Sequence, residues 1–252
     1  MTHWITTART VLAVALTMSL LPLSAHAGTI VFDDMEHGNP FGNGWFSFGG
    51  SVGAGSLVAN SVDLPPTDGG TFSLEAGFGS GGTPGFFGGF GRTSITDLNG
   101  MDTFNFWINP DPGQEYVLEI NLQEDDNGDL AFTPSEDDEF QFNCDIGTAG
   151  ACAVAGGGWQ LVSIAFSDFF DDNSFATGGN GVFDPFSPGE LFNVVFAIVS
   201  TSGSDVTFRT DYWHFTGADN TGTDRDVPSP AALGFLGIGL AGLGLARRRR
   251  MA

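Results

Sequence analysis

TFNFWIN at Thr103–Asn109 and YVLEINLQ at Tyr116–Gln123 decide the fold class of this chain. In both stretches apolar and polar residues alternate, so that the apolar ones share one face of an extended strand. No long run of helical period occurs between residues 28 and 226. The two stretches therefore predict β-strands with one buried face.

The same alternation recurs along the chain and is separated by Gly, Asp, Asn and Pro turns, as expected for antiparallel strands. Its apolar positions are Phe140 and Phe142, then Val162, Ile164 and Phe166, then Val194, Phe196 and Ile198, and finally the run Val206–Phe215. Asp125–Gly128 reads as a hairpin turn, because Asn-Gly suits positive φ, and Phe166–Phe170 as one helical turn. We expect an all-β protein, an antiparallel sandwich over residues 28–217 followed by a polar linker at 218–226.

The N-terminus has the features of a secretory signal peptide over residues 1–27. A weakly basic start precedes the apolar run Val11–Leu23, and Ala25-His26-Ala27 forms a small-residue cleavage site. The apolar run is too short for a retained membrane helix. The sequence therefore predicts export.

The C-terminus has three parts, which are Val227-Pro228-Ser229-Pro230, the apolar run Ala231–Ala246, and Arg247-Arg248-Arg249-Arg250. The run sits at the short end of a membrane span, and the arginines favour a cytoplasmic end. Residues 227–252 resemble the PEP-CTERM sorting signal of Gram-negative bacteria, apart from Ser229, where that family usually has Glu. The resemblance implies a short transmembrane helix, passage through the inner membrane, processing by an exosortase and a producer that secretes exopolysaccharide. An ordinary tail anchor is the alternative.

Charge and cysteine content narrow the function classes. All 30 acidic residues fall within 28–226, where the basic residues are Arg92, Arg209 and Arg225 and the chain has no lysine. Such a surface repels nucleic acid, which we exclude as a partner. Cys144 and Cys152 are the only cysteines, and in an exported protein they predict one disulfide.

The order of several short motifs carries a second resemblance, over most of residues 30–216. Phe32–Glu36 opens the region, Asp97–Asp102 leads into Phe106-Trp107, Trp159–Ile164 leads into Phe166–Phe169, and Phe208–Trp213 closes it. This order is similar to that of the galactose-binding-like jelly rolls, in particular family 11 carbohydrate-binding modules and complex I intermediate-associated protein domains. Tyr212 departs from it, because the second Asp of the closing motif often stands there. The resemblance implies a jelly-roll β-sandwich, a structural calcium ion and, in many members, a glycan cleft.

A glycan site needs aromatic rings to stack on sugar faces and polar groups to fix the hydroxyls. The strand faces opposite the predicted core carry such groups and would line one sheet surface: Asn105, Trp107, Glu119, Asn121, Gln123, Gln141 and Arg209. A solvated sheet face has the same composition, so this interpretation stays open.

The predicted calcium ion would join the two ends of the domain. The resemblance implies Glu36 and Asp211 as ligands, and Asp33 and Asp34 bring further carboxylates to the first strand end. Solvated strand-end charges are the alternative. Gln123–Asp129 also resembles an EF-hand loop, but Pro134 at its twelfth position has no side-chain oxygen to give, so that pattern fails.

We therefore expect a non-catalytic module of the cell envelope or extracellular matrix that binds exopolysaccharide or β-glucan. A structural matrix protein or adhesin without glycan specificity is the main alternative. A glycoside hydrolase could use paired carboxylates, but no nucleophile motif surrounds any serine of the mature region and it has only His37 and His214.

Overall fold

The computed structural model describes residues 28–49, 55–82, 85–147, 152, 154–172, 174–186, 190–200 and 202–217. The predicted signal peptide, linker and sorting tail lie outside these residues. Within the described part of the chain, no helix is long and apolar enough to cross a membrane.

The described residues form twelve strands and two short 3-10 helices, Pro40–Gly42 and Phe166–Asp168. The strands are β1 (Gly28–Asp33), β2 (Trp45–Gly49), β3 (Ser56–Asn60), β4 (Ser73–Phe78), β5 (Phe86–Thr96), β6 (Thr103–Pro110), β7 (Tyr116–Glu124), β8 (Glu139–Ile146), β9 (Gln160–Ala165), β10 (Phe170–Asp171), β11 (Leu191–Ser200) and β12 (Val206–Gly217). The expectation of an all-β protein is confirmed.

The strands form two antiparallel sheets of six. Sheet I has the order β3-β4-β12-β6-β9, and β1 also pairs with β12. Sheet II has the order β10-β8-β7-β11-β5-β2. β12 holds sheet I together, since its first half pairs with β4, its second half with β1, and its other edge with β6.

The two sheets pack through the apolar faces that the alternation marks. Phe104, Phe106 and Ile108 of β6, and Leu118, Ile120 and Leu122 of β7, are fully buried. The ring of Trp213 on β12 stacks on that of Phe196 on β11, with centroids 4.2 Å apart. Trp213 also donates a 2.7 Å hydrogen bond from Nε1 to the Thr210 hydroxyl, which satisfies its polar atom inside the core.

The alternation of the sequence did not identify β2, β3 and β4, which have five or six residues each, or β5, in which Gly88, Gly89 and Gly91 interrupt the pattern. The predicted hairpin turn at Asp125–Gly128 is the start of a longer loop: β7 ends at Glu124 and β8 begins at Glu139, although the two strands do pair. The helical turn near Phe166 is confirmed as Phe166–Asp168. The disulfide between Cys144 and Cys152 is also confirmed, with Cα atoms 5.1 Å apart.

Removing the Trp213 ring, which packs between the two sheets, should destabilise the fold more than truncating an exposed side chain. We expect Trp213→Ala to lower the free energy of unfolding by about 3–5 kcal/mol, because it leaves a cavity among packed rings. Val62→Ala is the control, since Val62 is 92 % exposed. Denaturant unfolding measures both, and equal effects would contradict the role given to Trp213.

Candidate functional site

A cleft of about 670 Å³ lies on the outer face of sheet II. Its floor comes from the middle strands β8, β7 and β11, and its sides from the strands at both sheet edges and from nearby loops. The lining residues are Phe46, Phe48, Phe87, Glu119, Asn121, Gln123, Phe132, Glu139, Gln141, Phe170, Asp172, Ser174, Phe175, Phe192, Asn193, Val195 and Ala197.

The floor is polar and is held by hydrogen bonds between its own side chains. Gln123 donates from Nε2 to Glu139, and Asn193 donates from Nδ2 to Gln123 Oε1 at 2.7 Å. The Thr93 hydroxyl extends this network by donating a 2.6 Å hydrogen bond to Asn193 Oδ1. A network of this kind fixes the side-chain orientations before any ligand arrives.

The walls are phenylalanine rings. At the β2–β5 edge the Phe48 ring lies 6.4 Å from that of Phe46 and 5.9 Å from that of Phe87. On the loop side the Phe132 and Phe175 rings stack at 6.3 Å. Phe87 and Phe175 are 51 % and 55 % exposed, so that much of their ring surface is free for contact.

Two glycines of β5 make room for the rings of the β2 wall. A Cβ at Gly89 would lie 2.4 Å from the Phe48 ring, and one at Gly91 would lie 2.7 Å from the Phe46 ring. The Gly-Gly-Phe-Gly run therefore lets aromatic side chains of one strand cover the backbone of the next. Its one ring, Phe90, faces the core and is fully buried.

Carboxylates in the floor hold protons more tightly than usual. Burial raises the pKa of Glu139 to about 7, against the Gln123 hydrogen bond and with the help of the charges on Asp172 and Glu119. Burial also raises the pKa of Glu119, and the charge of Asp172 adds to the rise. The floor can therefore both accept and donate hydrogen bonds near neutral pH.

Four of the seven predicted glycan residues line this cleft, namely Glu119, Asn121, Gln123 and Gln141. The expectation that all seven share one surface is wrong, because Asn105 and Trp107 lie on β6 and Arg209 on β12, in the other sheet. β6 and β7 are neighbours in sequence but belong to opposite sheets, so that their outer faces point away from each other.

The three residues on sheet I are engaged there. Arg209 pairs with Glu75 and Asp111 at 3.1 Å and with Asp63 at 3.4 Å. Asn105 donates a 3.0 Å bond to the Thr216 hydroxyl. Trp107 is half-buried, and its Nε1 has no hydrogen-bond partner among the described residues.

Sequence reasoning missed the aromatic walls. Phe46 and Phe48 belong to a strand that was not identified, and Phe132 and Phe175 to loops. The alternation of β5 was the available signal: Phe86 and Phe90 face the core, which places Phe87, Gly89 and Gly91 on the opposite face.

A separate group of carboxylates comes together where the calcium ion was predicted. Burial raises the pKa of Asp211 to about 8 against the hydrogen bond from the Tyr212 amide, and the charges of Glu36, Asp33 and Asp34 contribute to the rise. Asp211 Oδ2 is buried and has no hydrogen-bond partner among the described residues. The backbone is left-handed at Met35 and Tyr212, with φ of 58° and 46°, which is unusual for such residues.

These carboxylates differ in how many hydrogen bonds and ion pairs they already make, and so in how well each could bind a cation. Asp33 forms an ion pair with Arg92, whose Nε lies 2.8 Å from Asp33 Oδ2, and accepts hydrogen bonds from Trp45 Nε1 at 3.1 Å and the Met35 amide at 2.6 Å. Its charge is therefore already compensated. Glu36 accepts two amide bonds on Oε1. Asp211 therefore fits best, with Asp34 and Glu36 beside it, and calcium here stays a prediction.

Among the solved structures that superpose on this chain are two family 11 carbohydrate-binding modules. A family 11 module from Clostridium thermocellum in complex with a β-1,3-1,4-mixed-linked tetrasaccharide is 15 % identical and superposes with a TM-score of 0.55 over 76 % of this chain and 97 % of that one. The family 11 module of cellulosomal cellulase Lic26A-Cel5E from the same organism is 15 % identical and gives a TM-score of 0.53 over 78 % and 98 %. No protein-family model and no curated protein matches the sequence. The similarity shows the fold, which confirms the predicted jelly-roll sandwich.

Glu139 should make stability depend on pH. Its pKa is about 7 in the folded state, whereas the ordinary value for an exposed glutamate is 4.5. Below about pH 4.5 the carboxyl is protonated in both the folded and the unfolded chain. As the pH rises toward 7 the unfolded state releases its proton first, so folding loses about 3 kcal/mol by pH 8.

Glu139→Gln should remove this loss while keeping an acceptor for Gln123. We expect the variant to be more stable than the wild type at pH 8 in EDTA and equal to it at pH 4. Urea unfolding at both pH values measures the difference, and Glu115→Gln, at an exposed position, is the control. A gain that is the same at both pH values would contradict this assignment.

Proposed function

We propose that this protein is an exported, non-catalytic carbohydrate-binding module that holds a neutral glycan chain in the cleft of sheet II. The observation that carries the proposal is the combination of phenylalanine walls with a hydrogen-bonded polar floor. Pyranose rings present apolar faces that stack on aromatic planes, and hydroxyl edges that pair with amides and carboxylates. The cleft offers both kinds of group within one surface.

The charge of the cleft favours a neutral glycan over an anionic one. Glu119, Glu139 and Asp172 all line it, and none of the described lining residues is basic. An anionic polysaccharide would meet repulsion there. The ligand class that fits best is a β-glucan or a neutral exopolysaccharide of the producing cell. The similar family 11 module is itself described in complex with a β-1,3-1,4-mixed-linked tetrasaccharide.

Two alternatives remain as outcomes of the test. A structural matrix protein or adhesin would use the sandwich without glycan specificity. A glycoside hydrolase would use Glu119 and Glu139, whose raised pKa values suit a general acid.

We also propose the route by which the protein reaches the glycan. The signal peptide at 1–27 exports it, and an exosortase processes the tail at Val227–Arg250 after it enters the inner membrane. The disulfide supports an oxidising destination. The cell envelope or the extracellular matrix of a Gram-negative bacterium is the expected location.

Calcium at Asp211, with Asp34 and Glu36, is part of the same proposal. Its chemistry would be structural, since a cation there compensates carboxylates from β12 and from the turn after β1. The unpartnered Asp211 oxygen and the left-handed residues on both sides of the cluster support it.

Cleft phenylalanines should control glycan affinity. We expect Phe87→Ala and Phe175→Ala each to weaken binding to mixed-linkage β-glucan about tenfold or more, because each removes a stacking surface worth about 1.5–3 kcal/mol. Affinity electrophoresis or calorimetry measures the change, and an assay for new reducing ends tests hydrolysis.

Two matched controls separate the cleft from the rest of the surface. Phe41 is 54 % exposed but does not line the cleft, and Trp107 lies on the other sheet. Phe41→Ala and Trp107→Ala should bind as the wild type does. Equal losses for all four variants, or no binding to a panel of neutral glycans, would refute the glycan proposal, and release of sugars would replace it with the hydrolase.

The tail should determine retention in the envelope. We expect deletion of 227–252 to move the protein from the membrane and envelope fractions into the medium, because the apolar run and the arginines are then absent. Fractionation and immunoblotting measure this. Replacement of Arg247–Arg250 by glutamines is the companion variant, and unchanged retention after the deletion would defeat the sorting proposal.

A further inference from the structure

A carboxylate ends the core-facing row of β7. Tyr116, Leu118, Ile120 and Leu122 point into the sandwich, and Glu124 continues their alternation with 1 % of its surface exposed. Neither of its carboxylate oxygens accepts a well-formed hydrogen bond among the described residues, although the Asp184 backbone amide lies close enough to oppose the rise of its pKa. A buried carboxylate without hydrogen bonds destabilises the folded state unless it is protonated or binds a cation.

Two further carboxylates converge on Glu124. Asp126 and Asp138 each bring an oxygen, and the three ligand oxygens lie within 4.8 Å of one another. Asp138 is 0 % exposed, and its Oδ1 also lacks a hydrogen-bond partner among the described residues. Oxygens around one calcium ion, at about 2.3–2.6 Å from it, have separations in this range.

Hydrogen bonds from the β7–β8 loop and from the β10–β11 loop fix the positions of Asp126 and Asp138. Asp138 Oδ2 accepts the amides of Asn180 and Gly181 at 2.8 and 2.7 Å. Asp126 accepts the Asp138 amide at 2.8 Å on one oxygen and the Asn180 side-chain amide at 2.8 Å on the other. These bonds orient Asp126 and Asp138 while leaving Asp138 Oδ1 free of them.

Gly179 shows how closely the second loop approaches. A Cβ there would lie 2.1 Å from the Asp138 carboxyl carbon, and the residue has a φ of +66°. Only glycine combines that conformation with that contact. The loop after β10 therefore closes over Asp138 and buries it.

Burial makes the charged cluster unfavourable without a counter-charge, and repulsion between its carboxylates adds to this. Burial raises the pKa of Glu124 to about 9, and the charges of Asp126, Asp184 and Asp138 add to the rise, although the nearby Asp184 amide opposes it. Burial and the charge of Asp138 raise the pKa of Asp126 to about 6. In the described part of the chain no salt bridge joins these carboxylates to a basic side chain.

We propose that Glu124, Asp126 and Asp138 bind one divalent cation of the calcium type between the β7–β8 loop and the β10–β11 loop. All three ligands are hard oxygens, which favours calcium over the softer transition metals. Glu124 and Asp138 Oδ1 have no other partner for their charge among the described residues. Water completes the coordination shell on the side where Asp126 is partly exposed.

The site is separate from the calcium predicted at Asp211. It also differs from an EF-hand, because Gln123, which would be the first ligand of that pattern, faces the cleft, and Pro134 at the twelfth position has no side-chain oxygen. The two proposed sites can therefore be removed independently.

The cation would also shape the glycan cleft, an extension that rests on the proposed function. The two loops that it joins carry Phe132 and Phe175, whose rings stack to form one wall. The cation would hold the β7–β8 loop directly, and the β10–β11 loop through the Asn180 and Gly181 amides that donate to Asp138. Order in both loops reduces the cost of closing that wall on a sugar. Calcium should then increase glycan affinity.

Calcium titration of the full-length chain tests the site without any glycan. The probe is Ca²⁺ alone, followed by calorimetry after EDTA treatment and dialysis. We expect Glu124→Gln to weaken binding at this site by at least about 100-fold, whereas Glu136→Gln, an exposed acid of the same loop, should leave it unchanged. Asp211→Asn removes only the other proposed site.

Folding and loop ordering are measured on the same variants. In EDTA, Glu124→Gln should melt at or above the wild-type midpoint, since the amide carries no buried charge, so lost binding cannot be ascribed to unfolding. Hydrogen exchange should show that calcium protects amides of residues 125–138 and 174–186 together in the wild type and not in Glu124→Gln.

The outcomes are distinct. Calcium binding that Glu124→Gln abolishes and Glu136→Gln preserves supports the site, whether or not any glycan binds. Equal calcium binding by the wild type and Glu124→Gln overturns it, as does a single calcium lost in Asp211→Asn alone. A calcium effect on melting that NaCl of matched ionic strength reproduces in every variant also overturns it.

Discussion

The stacking of Trp213 on Phe196 is the contact on which the sandwich depends, because it joins the central strands of both sheets. β12 organises sheet I and β11 lies between β7 and β5 in sheet II. Around the pair lie Trp45, Phe90 and Phe104, with ring centroids 5.0–6.1 Å from that of Trp213. With one face of each central strand committed to this aromatic core, the opposite face of β11 and its neighbours is available for polar groups. The cleft floor occupies that face.

Aromatic residues serve two purposes in this chain, and glycine separates them. Rings that face the core are buried, as Phe90 is, while Phe46 and Phe48 lie on the outside of sheet II. They can lie over β5 only because that strand presents Gly89 and Gly91 instead of side chains. At this sheet edge, two glycines of one strand therefore make space for two phenylalanine rings of the next.

Alternation in the sequence was enough to predict β6, β7, β8, β9, β11 and β12 and most of their residues that face the core, but not the two-residue strand β10. It could not assign a strand to a sheet, since that depends on pairing between distant segments. Trp107 and Glu119 therefore looked like members of one surface, although β6 and β7 point their outer faces in opposite directions. Arg209 looked free for a ligand because the carboxylates that bind it, Glu75 and Asp111, are far away in sequence. Glu124 could have been noticed, because it continues the buried row of β7.

The distribution of positive charge explains why some buried acids need more than the protein supplies. In the described part of the chain, two arginines form the salt bridges: Arg92 with Asp33, and Arg209 with Asp63, Glu75 and Asp111. Burial raises the pKa of Asp33 even so, although the Arg92 charge opposes the rise. Glu124 is buried as deeply without a basic partner among the described residues, so it must either take up a proton or share a cation from solution. The divalent cation that we propose would supply the positive charge that this cluster of buried carboxylates lacks within the described part of the chain.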